Sequence, residues 1–131
     1  MRGRRPQNLV AAAQAMETPA PPSWFDRHAK AEWKRVAPIL TQERKVLTTG
    51  DVATLQSYCI AVGQVAQAAE IISKEGLTFN GPHGPRKHPA VAIQQGAMAQ
   101  ARLLAGELGL TPTSRSRPAM RDDDDADTLV D

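Results

Sequence analysis

Apolar residues recur every three or four positions along three stretches of this chain, a spacing that predicts three helices. In the first stretch Ala29, Trp33, Val36 and Leu40 stand at helical intervals, with Lys30, Lys34 and Arg35 on the other side. Ser23, followed by Asp26 three residues on, reads as a capping-box-like start in which Asp takes the role usual for Glu. Pro38 cannot donate a backbone hydrogen bond, so a kink or break is expected near Ala37, with a short turn through Glu43.

The second stretch has the strongest pattern. Thr48-Thr49-Gly50-Asp51 supplies an N-cap with an acid three residues later, and Gly76 is a natural stop, so the helix should run from about Thr49 to Glu75. Val52, Leu55, Cys59, Val62, Ala66 and Ala69 form one stripe, and Leu55, Tyr58, Val62, Val65, Ala69 and Ile72 form a second. The stripes overlap, so the apolar face is wide enough for two partners. Ala61, Gly63, Ala66 and Ala68 are small and let a neighbouring helix approach closely.

From Leu77 to His88 the chain is punctuated by Gly and Pro, which predicts a turn or a short β-hairpin. His88-Pro89 then opens the third helix, with proline at its first position, where the missing N–H does no harm. Ile93, Ala97, Ala101, Leu104 and Leu108 are expected to line its packed face, and Gly109-Leu110 to end it in a Schellman-type stop. The short connection makes the second and third helices an antiparallel pair. The expected fold is all-α: a helical hairpin with an additional N-terminal helix and flexible termini.

Three regions follow. Residues 1–22 read as a flexible basic arm broken by Pro19, Pro21 and Pro22, residues 23–110 as the helical domain, and residues 111–131 as a flexible tail. Three helices with small side chains make a thin core, so part of the second helix should stay uncovered in a single chain. Oligomerisation is therefore expected, through Val52, Leu55, Tyr58, Cys59, Val62, Val65 and Ile72.

Composition narrows the class. The 131 residues include only five aromatics, too few for an aromatic-rich β-sandwich and poor equipment for stacking on single-stranded bases. No apolar run approaches the ~18 residues of a membrane span, so a soluble chain with no membrane partner is expected. The net charge of +2 conceals a segregation. Residues 122–131 hold six aspartates and no base, a net −6, whereas residues 1–121 hold all 16 bases and eight acids, a net +8. A basic body suits a polyanion partner. The candidate DNA-binding residues are Arg2, Arg4 and Arg5 in the arm, then Lys30, Lys34 and Arg35 with Arg44 and Lys45. Arg115 and Arg117 form a third basic cluster. The acidic end admits two readings, a partner-docking segment or a solubilising tail.

Catalytic and metal-binding patterns are lacking. His83 and His88 stand five apart in a Gly/Pro segment without the further ligands a metal site needs. No phosphate-cradling loop or dinucleotide fingerprint occurs. The single cysteine, Cys59, sits on an apolar stripe and reads as a small core residue. The residues describe a non-enzymatic, helical, oligomeric, polyanion-binding protein with no cofactor.

The order of elements adds a resemblance. Trp33 is followed by Val36-Ala37-Pro38-Ile39-Leu40, then by Leu47-Thr48 with Asp51, and by Leu55 with Tyr58-Cys59. A glycine-containing loop closes in His88-Pro89, and the run ends in Leu108-Gly109-Leu110-Thr111-Pro112-Thr113-Ser114-Arg115-Ser116-Arg117. Across residues 23–117 this resembles the small terminase subunits of tailed bacteriophages, of the P27-like family. The resemblance implies a ring-forming adaptor in the host cytoplasm. Such an adaptor binds double-stranded viral DNA and passes it to a separate large subunit that holds the ATPase and nuclease. It also makes Arg115 and Arg117 candidate large-subunit contacts. The competing reading is a helical, oligomeric DNA-binding regulator with no packaging role.

Overall fold

The computed structural model describes residues 16–115. Three helices and one β-hairpin are built from them: α1 (Arg27–Pro38), α2 (Val52–Glu75), β1 (Thr78–Gly81), β2 (Gly84–Lys87) and α3 (Pro89–Glu107). The predicted helices and the antiparallel hairpin between the last two are thus present, the hairpin pairing Phe79 with Arg86 and Thr78 with Lys87.

Helix α1 is capped further along the chain than Ser23 suggests. Asp26 is its N-cap, with Oδ1 accepting from the Ala29 N–H at 3.0 Å and Oδ2 from the His28 N–H at 3.2 Å. A carboxylate both satisfies these orphan donors and carries the charge that the positive end of the helix favours. Ala29, Glu32, Trp33, Val36 and Ala37 face inward on consecutive turns. Pro38 does not end the helical run. The backbone widens into a π-helical turn over Ile39–Glu43, where the Arg44 N–H reaches back five residues to the Ile39 carbonyl at 2.9 Å.

The chain before α1 belongs partly to the packed body. Pro19 offers its carbonyl to the Trp33 indole N–H at 2.8 Å, and the Thr18 and Thr41 hydroxyls lie 2.6 Å apart. Met16 packs against the core. A buried indole needs a hydrogen-bond acceptor, and Pro19 supplies it.

A capping box opens α2. Thr48 donates from both its N–H and its hydroxyl to Asp51 Oδ2, at 3.0 and 2.9 Å, through a 3₁₀ turn over Thr49–Asp51. Gly76 ends the helix with φ at 86°, a conformation open to glycine. The end of α3 forms the expected Schellman pair, Leu110 N–H to Ala105 carbonyl at 2.8 Å and Gly109 N–H to Gly106 carbonyl at 3.2 Å.

One core joins α1, α2 and the end of α3, with Trp33, Val36, Leu40, Leu47, Leu55 and Cys59 fully enclosed. The α2–α3 pairing is of another kind. Its buried residues are small: Ala61 and Ala68 on α2, Ala90 and Ala97 on α3. Ile93, expected on the packed face, is instead 56 % exposed. The face that docks runs through Ala90, Ala97, Ala101, Leu104 and Leu108, because the two backbones approach closely on small side chains and the bulky residue is left outside.

Candidate nucleic-acid interface

The basic residues divide into those the fold engages and those it leaves open. On α1 the Arg35 guanidinium grips Glu32 with two parallel bonds of 2.7 Å. Glu32 is itself buried and also accepts from the Tyr58 hydroxyl at 2.5 Å. The Arg35 bonds hold the Glu32 carboxyl below its ordinary range, against the effect of burial. Burial, with the Glu32 charge beside it, raises the Tyr58 phenol. Arg44 donates to the Gly109 carbonyl at 2.6 Å, tying the π-helical turn to the C-terminal end of α3. Arg35 and Arg44 are thus engaged by the fold; the i,i+3 spacing of Glu32 and Arg35 carried that signal, whereas nothing in the sequence pairs Arg44 with Gly109.

Lys30, Lys34 and Lys45 have no carboxylate partner among the described residues. Lys30 and Lys34 stand one turn apart on α1, and Lys45 is exposed in the left-handed region with φ at 54°. Arg2, Arg4, Arg5 and Arg117 lie outside the described residues, and Arg115 is exposed in the helical turn over 112–115. Arg44 and Arg115 share an open cleft of about 360 Å³ with Asp51 and Glu107. Two carboxylates face two guanidiniums there, so the cleft holds no excess charge for a phosphate.

The expected oligomerisation stripe is also divided. Leu55, Tyr58 and Cys59 are taken into the chain's own core by α1 and offer no surface to a second copy. Val52 and Val62 lean on that core, and Val65 and Ile72 are half-buried. The large apolar side chains that stay open lie elsewhere: Trp24, Val46, Ile71, Leu77, Phe79, Ile93, Met98 and Leu103 are all exposed. A wide stripe in sequence does not say which edge an intramolecular neighbour takes, and α1 took the edge with the largest side chains.

Sequence reading also passed over Arg86 and Lys87 on β2, both exposed and without a carboxylate partner among the described residues. The signal was the lack of any acid between Glu75 and Glu107. Among the described residues no group of three or more metal-ligating side chains converges, and no helix is long and apolar enough to cross a membrane.

The profile of the family described as phage terminase, small subunit, matches residues 29–125. The chain belongs to the phage terminase small-subunit family. Comparison with curated proteins and with solved structures returns no match. The matched span of this terminase small subunit takes in nearly all of α1 and the whole of α2, the hairpin, α3 and the Schellman stop. Membership supports a packaging-related adaptor role, and the small subunits of terminases are generally non-catalytic. The match reaches the small-subunit family and not the P27-like branch within it.

Proposed function

We propose that this small subunit is a non-catalytic adaptor that binds double-stranded viral DNA and delivers it to the large terminase subunit for packaging in the host cytoplasm. The family match over residues 29–125 carries this reading. Lys30, Lys34 and Lys45 support it, since their charge is not neutralised by a carboxylate among the described residues and is free to displace counterions from phosphate. Arg2, Arg4 and Arg5 add phosphate contacts from the N-terminal arm. Arg115 and Arg117 contact the large subunit.

Copies of the chain associate into a ring through apolar surface that α1 leaves uncovered. Ile71, Ile93, Met98 and Leu103 are the exposed members, with Val65 and Ile72 beside them. Burying such side chains against a second copy removes apolar area from water.

Fluorescence anisotropy on duplex DNA across a salt series tests the DNA contact. The triple variant Lys30→Ala/Lys34→Ala/Lys45→Ala should flatten the plot of log affinity against log salt by about 0.9 for each lysine that meets a phosphate. A wild-type chain with no affinity for duplex DNA at low salt sinks the reading. Native mass tests assembly: Leu103→Asp should reduce the oligomer to smaller species while helicity is kept.

A further inference from the structure

The β-hairpin stands out from the helical body. Every residue from Leu77 to Lys87 is exposed except Gly81 and Gly84, which are half-buried. A lone two-stranded hairpin is marginally stable in water. This one is tied to the body at its base, where the His88 N–H donates to the Leu77 carbonyl at 2.8 Å and the Phe79 ring meets the His88 imidazole edge-on.

Its charge is all of one sign. Residues 76–106 contain no acid but hold His83, Arg86, Lys87 and Arg102. Glu75, the acid nearest in sequence, lies 3.3 Å from His88 Nε2. Arg86 and Lys87 are neighbours on one strand, so they project from opposite faces of the ribbon. Arg86 is also pre-positioned: a Cβ at Gly81 would come within 2.8 Å of Arg86 Cδ, so the arginine stem lies across the glycine. Only a residue without a side chain leaves that path open.

We propose that this hairpin is a second DNA-contacting element, with Arg86 and Lys87 binding the backbone phosphates of duplex DNA. The proposal rests on the DNA-binding reading above and adds a site beyond the C-terminal end of α2. The α2 helix spans 24 residues, or about 36 Å, and separates the hairpin at its C-terminal end from Lys45 at its N-terminal end. A two-stranded ribbon has the width to enter the major groove, where phosphate strands flank it on both sides. A cation on each face suits that placement. Charge complementarity selects DNA over an apolar partner, because the ribbon carries cations along β2 and no carboxylate.

The test uses the full chain and duplex DNA in the same salt series. Arg86→Ala/Lys87→Ala should make the slope shallower by about 1.8 per bound subunit, two contacts at about 0.9 each. Gly81→Val should weaken binding while leaving the charge intact, because it displaces the Arg86 stem. Circular dichroism and native mass accompany both variants. If the wild type binds DNA, the Lys30/Lys34/Lys45 variant loses slope and Arg86→Ala/Lys87→Ala keeps it, the hairpin assignment is overturned and the adaptor reading stands. If Arg86→Ala/Lys87→Ala instead changes native mass, the hairpin is a subunit contact and the assignment is equally overturned. If the wild type does not bind duplex DNA, both readings fall together.

Discussion

The Tyr58 hydroxyl on α2 donates to Glu32 Oε2 on α1 at 2.5 Å, and the same carboxylate holds Arg35 from the solvent side. This three-residue chain is a buried polar link between the helices, whose exposed edge is joined by Arg27 and His28 on Glu70. Its energetics set the first two expectations.

Removing the phenol costs a hydrogen bond to a buried charge, so Tyr58→Phe should lower stability by about 1.5–3 kcal/mol in denaturant unfolding. Glu32→Ala should cost at least as much, since it strands the Tyr58 hydroxyl in the core. Equal stability of Tyr58→Phe and wild type would show that water replaces the bond.

The pH dependence follows from the direction of each shift. Glu32 is held below its ordinary value of 4.5, so its contribution is present above that pH and is lost as pH falls through its lower folded value. Tyr58 is raised above its ordinary value of 10.0, so its contribution is present below pH 10 and is lost as pH rises further. Tyr58→Phe should keep an acid-side loss and shed this tyrosine's part of the alkaline one, measured as melting temperature against pH. It is the chain's single tyrosine, so no other phenol obscures the result.

Cys59 is fully enclosed, and burial, together with the nearby Glu32 charge, pushes its thiol up to about 12. Thiolate is the reactive form, so a thiol reagent at pH 8 should modify the native chain only as fast as it unfolds. Immediate modification without denaturant would place Cys59 on an accessible surface.

Two helix glycines should respond differently to alanine. At Gly63 an added Cβ would stand 2.7 Å from Asp26 Oδ1 and 3.2 Å from the Ala29 nitrogen, forcing apart the cap of α1. Gly63→Ala should therefore lose about 1 kcal/mol of capping, offsetting or exceeding its gain in helix propensity. At Gly96 nothing lies within 4 Å, so Gly96→Ala should stabilise by about 0.5–1 kcal/mol. Thermal melts of the two variants check the contrast.

Lys45 couples strain to charge. Its φ of 54° disfavours a residue with a Cβ, so Lys45→Gly should raise stability by about 0.5–1 kcal/mol. The same change should weaken DNA binding by one phosphate contact. A variant less stable than wild type would mean that the lysine stem contributes packing that outweighs the strain.

What the sequence by itself determined was local. The Thr48–Asp51 capping box, the Gly76 stop, proline at the start of α3 and the Gly109-Leu110 Schellman pair depend on residues within a few positions of one another, and each appears in the structure. The hairpin was legible for the same reason, since Gly and Pro punctuate it. Ser23 misled because Asp26, three residues on, is as good a cap residue, and its carboxylate takes the His28 and Ala29 N–H groups.

Only the tertiary structure decided which part of each pattern faces what. The α2 stripe is wide, and the packing of α1 over Leu55, Tyr58 and Cys59 is a long-range choice that periodicity leaves open. Helix α3 turned Ile93 outward because close contact with α2 is made through alanines. Arg44 gave up its freedom to the Gly109 carbonyl, 65 positions away in sequence, whereas Lys30, Lys34, Arg86 and Lys87 found no carboxylate among the described residues; the Arg35–Glu32 pair, three apart on one helix, was legible in the spacing. A cation's availability depends on what folding brings beside it, and the linear order of charges does not contain that.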